Sequence, residues 1–415
     1  MRKLVVTTFF LLYLFSFQNI LGYSELTQPE INAKSAFLFD VETNTVLYEK
    51  NIDDKIYPAS TTKILTAILA IEKLDLNESS KVSQTAINAL PKLSSTVNLQ
   101  VGEVIRNEDL LYCLLLRSGN DAALVLAEAI SGSIENFTKE MNKKALELSC
   151  TSTNFTNPHG FHNDNHYSTP RDMMKILAYC MKSQKFSSII STKSYTVPTT
   201  NKHASRNLLN TNKLLRDSDF PSYVLNYQNG GKTGYTPEGG QCLVSYANNN
   251  GQSLLCAVFD APVINKDEYR FIYTKTLFEY GFNNFENVVI LPRNSDLLLE
   301  INETNLMNKT YSLKNDIKVS VPIRTKYNNY ELINIKFLDN SNTEISNIQY
   351  EIKISGLSTN LDGITEIYNS KKTLVEPKQL TFIEELYEIV NEFTFNIKNT
   401  AEKVFKTFSA DFFIL

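Results

Sequence analysis

Apolar residues recur along this chain in three different rhythms, and each rhythm predicts a different kind of element. Between Tyr57 and Leu74 they are nearly continuous: Ile64, Leu65, Ile68, Leu69, Ile71 and Leu74 cover almost the whole surface of a helix with no glycine or proline after Pro58. Such a helix is buried on all sides. It begins near Ser60, because Tyr57 precedes a proline and is held extended. From Glu108 to Lys182 the spacing stays helical, with Leu110, Leu111, Leu114 and Leu115, then Asp121 to Ile130, then Phe137 to Leu148. Thr169-Pro170-Arg171-Asp172 starts a further helix, with Thr169 as cap and Pro170 at the first position. Strands come before and after. Ala36 to Val41 and Thr45 to Glu49 flank Glu42-Thr43-Asn44 as one hairpin, and Gln241 to Ala247 and Ser253 to Phe259 flank Asn248 to Gly251 as another, with Tyr269 to Tyr280 helical behind them. Strands at both ends and helices between them predict an α/β (α+β) domain, in which the two ends build one antiparallel sheet flanked by helices.

Beyond Phe285 the rhythm becomes strict alternation. Ile317, Val319, Val321 and Ile323 alternate with polar residues, as do Ile348, Tyr350, Ile352 and Ile354, so residues 286–376 are expected to form a small all-β domain. The third rhythm is in the tail. From Phe382 through Leu386, Ile389, Phe393, Ile397, Val404 and Phe408 to Phe412, apolar residues return every three or four positions, the stripe of one long amphipathic helix over 377–415. At the other terminus Met1-Arg2-Lys3 precedes an apolar run from Leu4 to Phe17 and then Gly22 and Ser24. This reads as a signal peptide over 1–24, since the run is shorter than the roughly 20 residues that span a bilayer; an uncleaved anchor is the alternative. Residues 25–285 are left as the principal domain.

Composition narrows the function classes. With 42% hydrophobic and 21% charged residues the chain is an ordinary globular protein, and a net charge of -4 argues against nucleic acid as a partner. Cys113, Cys150, Cys180, Cys242 and Cys256 are widely spaced and embedded in apolar sequence, which predicts buried thiols rather than a metal site or a disulfide framework.

Three short stretches carry candidate chemistry. Ser60 and Lys63 stand three apart at a helix start, on one face and about 5–6 Å apart between Cβ atoms. A serine hydroxyl needs a base to become a nucleophile, and a lysine serves if burial or a second cation destabilises its ammonium. Ser118-Gly119-Asn120 sets a hydroxyl and an amide at a sharp turn between two helices, suited to relaying a proton and holding a substrate amide. In Gly230-Gly231-Lys232-Thr233-Gly234-Tyr235-Thr236, at the start of a strand, Lys232 offers a positive charge, Thr233 a hydroxyl, and Gly234 room for a second backbone. An exposed strand edge with these groups can take an extended peptide as an added strand. Singly, each stretch is a common local pattern.

Together and in this order, S-x-x-K at 60, S-x-N at 118 and K-T-G at 232 resemble the set found in penicillin-binding proteins and serine β-lactamases. Tyr57 to Lys63, Ser118 to Ala122, Asn157-Pro158-His159-Gly160, His166 to Thr169 and Lys232 to Thr236 are similar to the corresponding stretches of low-molecular-mass D-alanyl-D-alanine carboxypeptidases, over roughly residues 30–285. The resemblance implies a β-lactamase/transpeptidase-like fold in which Ser60 is the acylated nucleophile and Lys63 its base. Ser118 and Asn120 relay the proton and hold the substrate amide. Lys232 and Thr233 bind the terminal carboxylate, Gly234 and Tyr235 complete the substrate-binding strand, and the N–H groups of Ser60 and Tyr235 form the oxyanion hole. Lys232 is also the second cation that keeps Lys63 neutral. No cofactor or metal is implied. His159 and His166 are expected to be structural, and Asn210-Thr211-Asn212, though similar to a family segment, is given no role. The implied partners are peptidoglycan stem peptides, β-lactam antibiotics and, through the C-terminal helix, a membrane surface; the implied location is outside the cytoplasmic membrane. A β-lactamase fits less well, because no Glu-x-x-Leu-Asn lies between Ser118 and Lys232. A slow-turnover penicillin sensor or scaffold is the other alternative.

Overall fold

The computed structural model describes residues 27–216, 219–291, 293, 296–299, 309–323, 330–337, 345–354 and 361–369. The expected signal peptide and the expected tail helix both lie outside these residues. A five-stranded antiparallel sheet organises the principal unit, and its strands come from both ends of that unit. β1 (Ser35–Asp40) and β2 (Thr45–Lys50) form the N-terminal hairpin; β3 (Ser79–Lys81) pairs with β4 (Val104–Arg106), and β5 (Ser194–Val197) with β6 (Arg206–Leu209), as small separate ribbons. β7 (Gln228–Thr236), β8 (Gly240–Asn249) and β9 (Gln252–Ala261) complete the main sheet in the order β2-β1-β9-β8-β7. The predicted joining of the two ends is therefore made by β1 and β9, paired from Ser35↔Phe259 to Asp40↔Leu254. The β8–β9 turn is tighter than its asparagine run implied. It is the two-residue turn Asn250-Gly251, with φ of 51° and 90°, the backbone that an Asn-Gly pair adopts most easily.

Period two along β9 explains why the sheet is covered on both faces. Leu254, Cys256 and Val258 pack with Phe271, Leu277 and Phe278 of a C-terminal helix, while Leu255, Ala257 and Phe259 join the core of the helical layer. That layer contains α1 (Lys63–Lys73), α2 (Gln84–Asn88), α3 (Asn107–Leu116), α4 (Asn120–Ser131), α5 (Ile134–Glu147), α6 (Pro170–Met181) and α7 (Gln184–Ile190); the helix on the opposite face is α8 (Tyr269–Asn284). α1 is buried from Lys63 to Ala70, as the unbroken apolar run predicts. Its start differs. Ala59–Thr62 is a single 3-10 turn and the α-helix proper begins at Lys63. Thr169 caps α6 by accepting the Asp172 N–H, with Pro170 at the first position. The short α2 and the β5–β6 ribbon carry too few apolar residues to show a period, whereas α7 buries Phe186, Ile189 and Ile190 at helical spacing. All five cysteines are buried and free.

The elements described beyond α8 are strands. β12 (Phe285–Leu291) pairs with β15 (Ile317–Pro322), after the two-residue β10 (Val263–Ile264) and β11 (Asp267–Glu268). β13 (Asp296–Leu299), β14 (Lys309–Leu313), β16 (Tyr330–Phe337), β17 (Ile345–Ile354) and β18 (Leu361–Asn369) form a second sheet in the order β13-β14-β18-β17-β16.

Candidate active site

β7 ends the main sheet, so among the described residues its outer edge is unpaired. The Pro58–Ser60 turn lies close against that strand. A Cβ added at Gly234 would lie 3.1 Å from the Ser60 backbone nitrogen and 3.1 Å from the Pro58 carbonyl, so any other residue there would need the two backbones to give by a few tenths of an ångström. Ser60 stands in the 3-10 turn that feeds α1, and Thr61 anchors the turn by donating from both its N–H and its hydroxyl to the Pro58 carbonyl.

One turn on, Lys63 is wholly buried. Its Nζ lies 2.9 Å from Ser60 Oγ and donates to the His159 carbonyl at 2.7 Å. Burial pushes its pKa well below the ordinary lysine value; the positive charge of Lys232 adds to the effect and Asp121 opposes it. Both causes anticipated from the sequence are thus present, with burial the larger. Lys232 is itself wholly buried, donates to the Thr233 carbonyl at 2.9 Å, and is pushed down to about 7 by burial and then by Arg270.

Ser118 has a left-handed backbone, φ 61°, where the chain turns between α3 and α4, and it lines the cleft. Its hydroxyl and the Asn120 Oδ1 are buried without a hydrogen-bond partner. Unsatisfied polar atoms in a cleft are costly, and here they lie beside the serine-lysine pair, where a bound amide would satisfy them. Thr233 shares a 2.7 Å hydrogen bond with Thr211, and Arg270 of α8 donates to the Gly234 carbonyl at 2.9 Å while pairing with Glu268. A cleft of about 410 Å³ is lined by Ser60, Ser118, Asn120, Thr233, Gly234 and Tyr235, as many as 175 positions apart in sequence, whereas Lys63 and Lys232 are wholly buried and do not line it. A larger cavity of about 710 Å³, bounded by Phe39, Met174 and Leu255, includes none of these residues.

The histidines behave as structural groups with one addition. His166 accepts the Thr156 N–H at Nδ1, which leaves Nε2 to donate to the Thr62 hydroxyl at 2.9 Å, and burial pushes its pKa down to about 3, so it is neutral. The His159 ring accepts the Phe161 N–H, but its backbone carbonyl belongs to the site as the acceptor for Lys63. That carbonyl is held by the Asn157 side chain, which accepts the Gly160 N–H at 2.7 Å, and by Gly160 itself: with φ 80°, a Cβ there would fall 1.7 Å from the Ala59 carbonyl oxygen. The Asn-Pro-His-Gly stretch was a legible signal without a legible role. Thr211 lies in the Asn210-Thr211-Asn212 stretch, which carried a resemblance but no role until folding set it against Thr233; Arg270 carries no motif and became visible only when folding set it against β7.

A family profile described as D-alanyl-D-alanine carboxypeptidase, peptidase S11, matches residues 23–263. The chain is 35% identical over 266 residues to the D-alanyl-D-alanine carboxypeptidase DacF of Bacillus subtilis, a match that spans 63% of this chain and 65% of that protein. It is 31% identical over 301 residues to the D-alanyl-D-alanine carboxypeptidase DacA of Haemophilus influenzae, covering 71% of each. Among solved structures, penicillin binding protein 5 of Haemophilus influenzae superposes with a TM-score of 0.66 at 26% identity, over 83% of this chain and 98% of that one. A mutant of the Streptomyces K15 DD-transpeptidase superposes with a TM-score of 0.56 at 30% identity, over 62% and 100%.

Proposed function

The chain belongs to the D-alanyl-D-alanine carboxypeptidase family, and on that premise we propose that it removes the terminal D-alanine from peptidoglycan stem peptides through an acyl-enzyme on Ser60, and that penicillins acylate the same oxygen. The observation that carries this reading is the contact between Ser60 Oγ and a lysine whose buried ammonium is disfavoured. In the neutral state the Lys63 lone pair takes the hydroxyl proton as Oγ attacks the carbonyl of the penultimate D-alanine. The tetrahedral oxyanion then sits between the N–H groups of Ser60 and Tyr235, a reading supported by the close approach of the Ser60 nitrogen to Gly234. Collapse breaks the peptide bond, and the departing amine takes a proton from the Lys63 ammonium through the Ser118 hydroxyl. Water attacks the resulting ester by the same steps in reverse, releasing the shortened peptide. Asn120 holds the substrate amide, and Lys232 and Thr233 hold the terminal carboxylate.

Ser60→Ala should abolish both covalent labelling by a fluorescent penicillin and D-alanine release from a peptide ending in D-Ala-D-Ala, with the fold unchanged by circular dichroism. Labelling at wild-type yield would remove Ser60 from the role.

The place of action follows from the substrate. We infer export through residues 1–24 and attachment to the outer face of the cytoplasmic membrane through 377–415, supported by the apolar patterns of those segments. Among the described residues no helix is long and apolar enough to cross a membrane.

A further inference from the structure

The larger cavity, about 710 Å³, lies between α6 and the strands β1, β2, β8 and β9, and contains none of the groups assigned to the cleft. Its floor is apolar. Phe39, Val46 and Leu255 supply it from the sheet, and Met174, Ala178 and Met181 from α6, where spacings of four and three put them on one face. Methionine is unbranched and polarisable, so two of them give a surface that adjusts to a flexible apolar chain. Beside that stripe, α6 and its C-cap carry a second one, Arg171, Lys175 and Lys182, at intervals of four and seven.

No acidic side chain lines the cavity among the described residues. Arg171 is paired with Asp53, and Lys175 with Asp172 while it also donates to the Ser149 carbonyl. The Lys182 ammonium, by contrast, has no ion-pair or hydrogen-bond partner among the described residues. Glu42, next to Val41 on the rim, is engaged by the Ser253 N–H. One uncompensated cation beside an apolar floor is complementary to one anionic head on an apolar body. The volume decides what that body is: it is the size of a small-molecule site, whereas a partner helix laid along the 171–182 stripe, about 16 Å long and about 10–12 Å across, would occupy roughly twice as much. We propose that this cavity binds a single-chain anionic amphiphile, its alkyl chain laid over Met174, Ala178 and Met181 and its head at Lys182.

The test titrates the full-length protein, labelled at its methionine methyl groups for NMR, with dodecanoate and separately with a lysophosphatidylglycerol, both below micelle-forming concentration. The signals of Met174 and Met181, assigned through Met174→Leu and Met181→Leu, should shift together and saturate, while that of Met141, fully buried elsewhere in the core, should stay in place. Tighter saturation by the phosphoglycerol head marks a phospholipid as the source of the ligand, and tighter saturation by dodecanoate a free fatty acid. Lys182→Glu should raise the Kd about tenfold, because an exposed attraction becomes a repulsion, and Ala178→Trp should abolish the shifts by filling the floor. Both variants should keep the circular dichroism of the wild type; if the tryptophan variant fails to fold, Lys182→Glu decides the matter. Shifts that do not saturate, equal affinity for dodecyltrimethylammonium, or a Kd unchanged by Lys182→Glu would overturn the proposal.

Discussion

Lys63 and Lys232 are both wholly buried and neither forms an ion pair with a carboxylate among the described residues, so two ammonium groups there are costly. The division between them has a measurable consequence. Lys232 must be charged to hold a carboxylate, and in the free protein it loses that charge as pH rises through about 7. For an acid-terminated peptide, kcat/KM should therefore fall above that pH; for the corresponding C-terminal amide this limb should be missing, because no carboxylate is being recognised. Lys232→Ala should lower kcat/KM on the acid by roughly tenfold to a hundredfold, the scale of a hydrogen bond to a charged group, and should lower it less on the amide. An equal loss on both peptides would mean that Lys232 acts through Lys63 rather than on the carboxylate. The sequence supplied both lysines but could not say that burial outweighs their mutual repulsion, since burial is a property of the packed core.

At the scale of elements, the wall that carries Ser118 and Asn120 is braced from outside the motifs. The β5–β6 ribbon delivers Arg206, which donates to the Val97 and Asn98 carbonyls and pairs with Glu103 at 2.7 Å, both side chains being buried. Asp121, the first-turn acid of α4, accepts the Val97 and Leu99 N–H groups from the same segment. Burial pushes the Glu103 carboxyl up, but hydrogen bonds from Arg206, the Gln100 N–H and the Thr200 hydroxyl outweigh it and hold the pKa below the ordinary 4.5. The sign follows: a carboxyl with a depressed folded pKa contributes stability that is present above 4.5 and is lost as pH falls through the lower folded value. Arg206→Ala leaves Glu103 buried and unpaired, so urea unfolding at pH 7 should show a loss of about 3–5 kcal/mol. The gap between variant and wild type should narrow as the pH is lowered towards 3, because protonation removes the uncompensated charge. A gap that stays constant with pH would show that Arg206 acts through its carbonyl contacts alone.

For the whole molecule, the open matter is how the chain is held where its substrate is. The tail pattern from Leu380 to Leu415 has six acidic residues, Glu384, Glu385, Glu388, Glu392, Glu402 and Asp411, against Lys398, Lys403 and Lys406, a charge of -3. The acids crowd its first half and the lysines its second, so anionic lipid should accept chiefly the second half. Half of the stripe's large side chains buried at about 1.5–3 kcal/mol each would contribute on the order of 10 kcal/mol before the cost of ordering, enough for reversible attachment. The mature chain should float with liposomes in a density gradient. A chain ended after Pro377 should stay in the soluble fraction with peptidase activity unchanged, whereas a full-length chain that also stays soluble would favour a tail packed on protein.

The residue types at Ser60, Lys63, Ser118, Asn120, Lys232 and Thr233 were decided by the sequence, as were the local elements that carry them. A buried helix, a turn between helices and a glycine-bearing strand are each written in nearest-neighbour terms: apolar spacing, caps and backbone freedom. Tertiary structure alone decided what those elements do to one another. The strand order β2-β1-β9-β8-β7 leaves β7 at the edge, the approach at Gly234 sets Ser60 against it, and closure of the core removes Lys63 and Lys232 from water. The same closure recruits the His159 carbonyl, Thr211 and Arg270. Their roles come from position rather than from type: a backbone carbonyl has no side-chain signature, and a threonine or an arginine remote in sequence gains its meaning from the strand it packs against.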